Sequence, residues 1–298
     1  MDGWRAAPAA LLVAAAQALG AVPAGYEAEI GAFRAQREQR LRAEGGWLSL
    51  AALYWLKEGD NTFGTDPSSD LVLPAGSAPA RAGRLVLQGA QTSVKLEAGV
   101  AATIAGRPVT APADLRADTT GQPDVLQLGR LSLYVIERNG RRGVRVKDPE
   151  SPSRVGFTGL QWFPVDPGWR VSARYVGHPR PRTVELADVT GGIQKMTAPG
   201  YVVFRHGGQE LRLEPVLEEP DAKELFFIFR DATSGHGTYG GGRYLYAPLP
   251  AAGRVTLDFN KATNPPCAFT NFATCPLPPR QNRLSVPVQA GEKHAGPH

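Results

Sequence analysis

The sequence predicts a mainly β protein with one N-terminal helix. Three observations carry that expectation. Glycine and proline are abundant, at 34 and 26 of 298 residues, which favours short strands joined by turns over a helical bundle. Short alternating apolar runs recur from Trp47 to Phe259, separated by turn residues. Asn139-Gly140 between two such runs is a strong hairpin signal, because both residues tolerate the positive φ that a two-residue turn requires. Hydrophobic residues at 42% and charged residues at 20% describe a globular chain with a core to bury.

The elements follow in order. Arg5 precedes an alanine-rich apolar run, Ala6 to Leu19, followed by Ala21-Val-Pro-Ala24 with small residues where a signal peptidase reads. Residues 1–24 are therefore expected to be a signal peptide and the protein to be periplasmic or secreted; without that signal it would be cytoplasmic. No later run reaches the ~18 apolar residues of a membrane span. Residues 25–46 hold a helix, with Ile30, Phe33, Arg37 and Leu41 at helical spacing and Gly45-Gly46 as its stop. Its arginines read as a solvated face.

Residues 47–115 form a first β domain. A boundary is expected between Pro112 and Pro123, where Ala, Asp, Thr, Gly and Pro accumulate. Residues 116–298 form a second, antiparallel domain, a barrel or a sandwich. Its strands include 126–138, 143–147, 171–176, 184–189, 201–205, 210–215, 225–230, 243–246 and 254–259.

The formal net charge is +5 and the pI near 9.3. The basic residues are scattered, without a Lys/Arg block or interleaved aromatics, so the balance reads as a solvated surface and a nucleic-acid partner is not expected. No nucleotide loop, dinucleotide fingerprint, nucleophile elbow or zinc-protease motif occurs, and no cofactor or metal is called for.

The segment Asp258 to Pro279 holds both cysteines, three asparagines and five prolines. Cys267 and Cys275 enclose seven residues. In an exported chain that pair is expected to form a disulfide, worth about 2.6 kcal/mol on the chain-entropy estimate; a redox pair or metal site are the alternatives. Asp231 to Arg243 is a glycine-rich loop between two apolar strands. Asp231 is a candidate base or acceptor, Thr233 and Tyr239 candidate hydrogen-bond partners, and Arg243 a candidate anion clamp. An Asp-capped turn with a structural Asp–Arg pair is the competing reading. Asp258, Asn260 and Asn264 close the next strand and either line a pocket beside that loop or bind the backbone of the proline-rich turn. Arg145 and Lys147 share one strand face, an anion patch or a surface ion pair. Trp162 and Trp169 read as core.

Three segments carry a resemblance across nearly the whole chain after about Tyr26: Gly46-Trp-Leu-Ser-Leu with Tyr54 to Pro67, Phe157 to Pro164, and Phe229 to Tyr239 continuing through Asn264 to Pro279. Together they resemble the bacterial domain of unknown function 1684 family, which implies no established activity. A second resemblance lies within the first. Asn61-Thr-Phe-Gly64, Ser69 to Pro74 and Gly106 to Val109 are similar to forkhead-associated β-sandwiches, which bind phosphothreonine. Here Thr65 replaces the arginine after the first glycine, Pro79 to Gly83 replaces the Ser-Arg-x-His loop, and Gly106-Arg107 replaces the Asn-Gly turn. The resemblance thus implies the fold without the phosphopeptide site.

Taken together, the sequence favours an exported β protein that binds a small polar or anionic ligand. A hydrolase-like enzyme on the same carboxylates and Arg243 is the alternative, and a structural or interaction module the third.

Overall fold

The computed structural model describes residues 22–294. The expected signal segment lies outside them but for its last three residues. Helix α1 (Ala24–Arg42) carries Glu27 in its first turn and Arg40 and Arg42 in its last, matching the helix dipole. It buries Tyr26, Ile30 and Leu41 along one face. Gly46 ends the turn that follows. A Cβ there would meet the carbonyl oxygens of Arg40 and Leu41 at 2.5 and 2.6 Å, so only glycine lets the chain fold back under the helix end.

Eleven strands then make a β-sandwich: β1 (Leu50–Trp55), β2 (Gly59–Gly64), β3 (Leu71–Val72), β4 (Gly83–Gln88), β5 (Gln91–Leu96), β6 (Thr103–Ile104), β7 (Arg107–Pro108), β8 (Ala113–Asp114), β9 (Val125–Leu128), β10 (Leu131–Arg138) and β11 (Arg141–Lys147). One sheet has the order β1-β11-β10-β9-β6-β7 and the other β3-β2-β4-β5-β8. Phe63, Leu85, Val94, Leu126, Leu133, Val144 and Val146 fill the space between them. The β10–β11 turn is made by Asn139 and Gly140 at φ +54° and +71°, the twist that a tight hairpin needs.

This topology corrects the expected boundary between Pro112 and Pro123. β11 pairs with β1, and β9 pairs with β6. The strands at 125–147 complete the first sandwich, because their hydrogen-bond partners are the N-terminal strands. The proline-rich stretch is a loop within that unit.

The C-terminal body follows: β12 (Arg170–Ala187), β13 (Ile193–His206), β14 (Gln209–Leu213), β15 (Glu224–Phe229), β16 (Arg243–Pro248) and β17 (Arg254–Asp258). Its sheets are β14-β13-β12-β17 and the ribbon β15-β16. None of the sheets among the described residues closes on itself, so the barrel alternative does not hold. β15 is buried on both faces. Leu225, Phe227 and Phe229 enter the larger core with Phe204, Leu257 and Phe259, while Phe226 and Ile228 enter a second core with Tyr244, Cys267 and Cys275. Trp169 is core as expected and stacks on His206 at 3.6 Å. Trp162 is half-buried, with the Arg34 guanidinium 4.9 Å from its ring.

The expected disulfide is not formed. Cys267 and Cys275 are free and buried, and the Cys267 N–H donates to the Cys275 sulfur at 3.2 Å. The loop is tied by that hydrogen bond and by the Tyr239 hydroxyl donating to the Cys267 carbonyl. No helix of the described residues is long and apolar enough to cross a membrane.

A fragment of residues 47–115 lacks the β9–β11 partners of β1 and β6. It is expected to show no cooperative thermal transition by circular dichroism, whereas a fragment of residues 47–150 melts cooperatively. A cooperative melt of the shorter fragment would restore the boundary at 115.

Candidate functional site

Asp231 and Arg243, the centre of the site expected from the sequence, form a closed structural pair. Arg243 Nη2 donates to Asp231 Oδ2 at 2.8 Å, and both side chains are fully buried. Arg243 also donates to the carbonyls of Val288 and Ala290. Asp231 Oδ1 accepts from Thr233 N, Thr233 Oγ1 and Val288 N at 2.8, 2.6 and 3.1 Å. Burial pulls Arg243 below its ordinary range, and Asp231 opposes that shift. Neither side chain lines the cleft described below. Its chemistry is spent on pinning residues 284–290 across the end of β15 and β16.

The other expected residues divide. Thr233 caps Asp231, and Tyr239 holds the cysteine loop. Asn260 is fully buried and bonds Tyr26, Asp166 and Asp258. None of these three lines the cleft described below. Asp258 and Asn264 do. Asp258 Oδ1 accepts the Tyr26 hydroxyl at 2.7 Å, while its Oδ2 has no partner. Asn264 Nδ2 donates to the Lys293 carbonyl at 3.0 Å, and its Oδ1 has no partner. Among the described residues no His, Cys, Asp and Glu side chains converge as a metal cluster.

Two cavities of about 850 and 440 Å³ share Arg37, Trp47, Tyr246 and Thr263 as common walls and form one cleft. The larger lobe lies between α1 and the β16–β17 edge, with Asp258 and Lys261 on its floor. The smaller lies where the sandwich meets the C-terminal body, the kind of junction where ligand pockets concentrate. Its walls include Arg138 and Arg145 from the sandwich, and Phe226, Tyr244, Asn264 and Thr274 from the body.

Arg145 reaches this lobe because of the strand period. Val144 and Val146 point into the sandwich core, so Arg145 points out of the opposite face of β11, where the cysteine loop covers it. It is 5% exposed. Nη2 donates to Thr274 Oγ1 at 3.0 Å, and the guanidinium lies 5.1 Å from the Trp47 ring centroid. Nε is buried without a partner. No carboxylate among the described residues pairs with it. A cation–π contact is worth about 0.5–2 kcal/mol, less than the several kcal/mol lost on removing a charge from water. The surface ion pair expected for this strand is thus absent; Arg145 is a buried cation lacking a counter-charge, while Lys147 donates to the Gly45 carbonyl.

The neighbouring cations are more engaged. Arg138 makes two bonds to Asp118 at 3.0 and 2.7 Å. Arg37 donates to the Asn264 carbonyl at 2.8 Å and lies 3.4 Å from Glu292 Oε2. Tyr246 is 42% exposed and its ring stacks on Phe226 at 4.7 Å, giving the cleft a flat aromatic wall. Glu218 stands at the mouth beside Tyr246; partial burial pushes its carboxyl up, opposed by a hydrogen bond from the Tyr246 hydroxyl.

Glu292 lies behind the cleft and is fully buried. Desolvation pushes its carboxyl up to about 7 against the nearby Arg37 charge and bonds from Asn264. Arg37, Trp47, Tyr246, Glu218 and Glu292 escaped the sequence reading. The signal available was the position of Arg37 four residues after Phe33 and four before Leu41, a place on the buried side of α1 rather than its solvated face.

Residues 155–293 match the model of the family described as protein of unknown function, DUF1684. An uncharacterised protein of Haloarcula marismortui, solved by NMR, is 34% identical, with a TM-score of 0.41, over 49% of this chain and 80% of its own. The FhaA FHA domain, solved in complex with an intracellular domain, is 18% identical over 32% of this chain and 97% of its own, with a TM-score of 0.23. A further structure, from work on phosphothreonine-dependent FHA interactions, gives 18% identity and the same TM-score over 32% of this chain and 92% of its own. None of the curated proteins matches the chain.

Two outcomes follow from these contacts. Asp231→Ala strands a buried guanidinium and should cost roughly 3–5 kcal/mol in chemical denaturation, while Asp231→Leu with Arg243→Met together cost much less; equal losses would contradict a closed pair. Glu292 has a folded pKa above its ordinary 4.5, so its stabilising contribution is complete below pH 4.5 and is lost as pH rises through about 7. Denaturation curves should lose about 3 kcal/mol across that window in wild type and show no such loss in Glu292→Gln.

Proposed function

From the premise that the chain belongs to the DUF1684 family, we propose that it is an exported protein that binds a small organic anion in the cleft between sandwich and C-terminal body. The observation that carries this reading is Arg145, a buried guanidinium with an unpartnered Nε and no carboxylate beside it. A bound anion supplies the missing counter-charge and completes its hydrogen bonds. Thr274 and Arg37 stand ready to share the anionic group. The Tyr246–Phe226 stack and Trp47 suit a flat apolar body attached to it. The ligand-binding role expected of the Asp231–Arg243 loop moves to this cleft, with Asn264 and Asp258 retained at its walls.

The hydrolase-like alternative moves as well. Asp231 is saturated, so a general base would be Glu218, the carboxyl at the cleft mouth beside Tyr246. Hydrolysis of a nitrophenyl ester by wild type but not by Glu218→Gln would establish that reading. The export proposal is supported by the Arg5 to Ala24 pattern, and N-terminal sequencing of protein secreted by its host is expected to begin at Gly25.

Benzenesulfonate is a suitable probe, being flat and singly charged. Titration calorimetry should detect binding to wild type and a loss of roughly tenfold to a hundredfold in Arg145→Ala, the worth of a charge-assisted hydrogen bond. Arg84→Ala, on the far sheet of the sandwich, should leave affinity unchanged. Equal affinity in wild type and Arg145→Ala would overturn the reading.

A further inference from the structure

We infer that anion uptake in the cleft is coupled to a proton on Glu292, with Arg37 carrying the coupling; the inference rests on the anion-binding reading above. Glu292 is fully buried, with Oε2 3.4 Å from Arg37 Nε. Its Oε1 has no hydrogen-bond partner. Asn264 bonds the same carboxyl, and Asn264 Oδ1 is a second buried acceptor without a donor. A proton on Glu292 supplies the donor that this pair of acceptors lacks.

The groups facing this carboxyl come from three elements. Arg37 approaches from α1, and Asn264 from the turn that follows β17. The charge of Arg243 on β16 also reaches it, but Asp231 already neutralises that guanidinium. Lys293, next along the chain, turns its ammonium over the Phe163 ring. Arg37 is therefore the one of these cations whose neutralisation depends on the state of Glu292, and it is also a wall of both lobes of the cleft.

The coupling follows from charge balance. With Glu292 protonated, the Arg37 charge is uncompensated and adds to that of Arg145 inside the cleft. When Glu292 ionises, its carboxylate neutralises Arg37 and the cleft loses that attraction. Anion and carboxylate compete for one guanidinium, so each weakens the other's hold on it by the same factor. Binding of the anion accordingly draws a fraction of a proton from solvent onto Glu292, largest near its titration midpoint, and release of the anion returns it. The burial that raises the carboxyl towards neutrality places this exchange at ordinary pH.

The test is calorimetry of the full chain with benzenesulfonate, whose charge is constant from pH 5.5 to 8.5, in two buffers of different ionisation enthalpy. Affinity should fall roughly fivefold or more across that range, with proton uptake upon binding near pH 7. Glu292→Gln should bind with little pH dependence, and Glu185→Gln, at an exposed carboxylate that does not line the cleft, should keep the wild-type dependence. Wild-type binding that takes up no proton and ignores pH overturns the coupling and leaves the anion reading standing, and needs no variant to fold. A pH dependence abolished by Glu218→Gln instead of Glu292→Gln also overturns it. Absence of binding at every pH overturns the anion reading and the coupling with it.

Discussion

The buried Asp231–Arg243 pair is the constraint from which the rest of the C-terminal architecture hangs. Arg243 holds the Val288 and Ala290 carbonyls, and Asp231 holds the Val288 N–H. Together they fix an extended segment across the end of β15 and β16. That segment runs on to Gly291 at φ +81°, where a Cβ would meet the Phe259 and Ala262 carbonyls at 2.7 and 2.5 Å. The close approach places Glu292 against Arg37, and Arg37 anchors α1 over the cleft. One ion pair thus sets the position of a helix nearly 190 residues earlier in the chain, a long-range dependence that a local reading of the Asp231 loop does not suggest.

The second structural theme is the way two β units cover each other. β11 lies between β1 and β10 in its sheet, and its outer face would ordinarily be solvated. The cysteine loop lies over it and strips water from Arg145, leaving the guanidinium on Thr274 and Trp47. Such burial is costly unless something offsets it. The cavity beside Arg145, its aromatic wall and the neighbouring Arg37 are the features that make an anion the fitting complement. The same junction explains why the free cysteines matter structurally: they hold the loop that forms the cover.

Much of the fold was legible in the sequence because its signals are local. The helical spacing of Ile30, Phe33, Arg37 and Leu41 and the Asn139-Gly140 turn act within a few residues. The unit boundary was not, since it depends on β11 pairing with β1, about ninety residues away. Composition at 112–123 describes a loop and says nothing about which strands lie on either side of it. The candidate site split along the same line. Asp231 and Arg243 were recognisable as partners, yet whether a buried pair catalyses or only holds depends on how many other donors surround it. Arg37 read as solvated because Glu292 is 255 residues distant. Arg145 could be flagged by its strand position, but its burial is imposed by a loop that the strand's own sequence does not mention.

The central claim is that Arg145 is the anion-binding group of the cleft. A crystal structure of the chain with bromobenzenesulfonate, located by the anomalous signal of bromine and the density of the sulfonate, tests it most directly. The sulfonate is expected on Arg145 and Thr274 with the ring along Tyr246. A sulfonate found elsewhere, with Arg145 unchanged and the cleft occupied only by water, would contradict it.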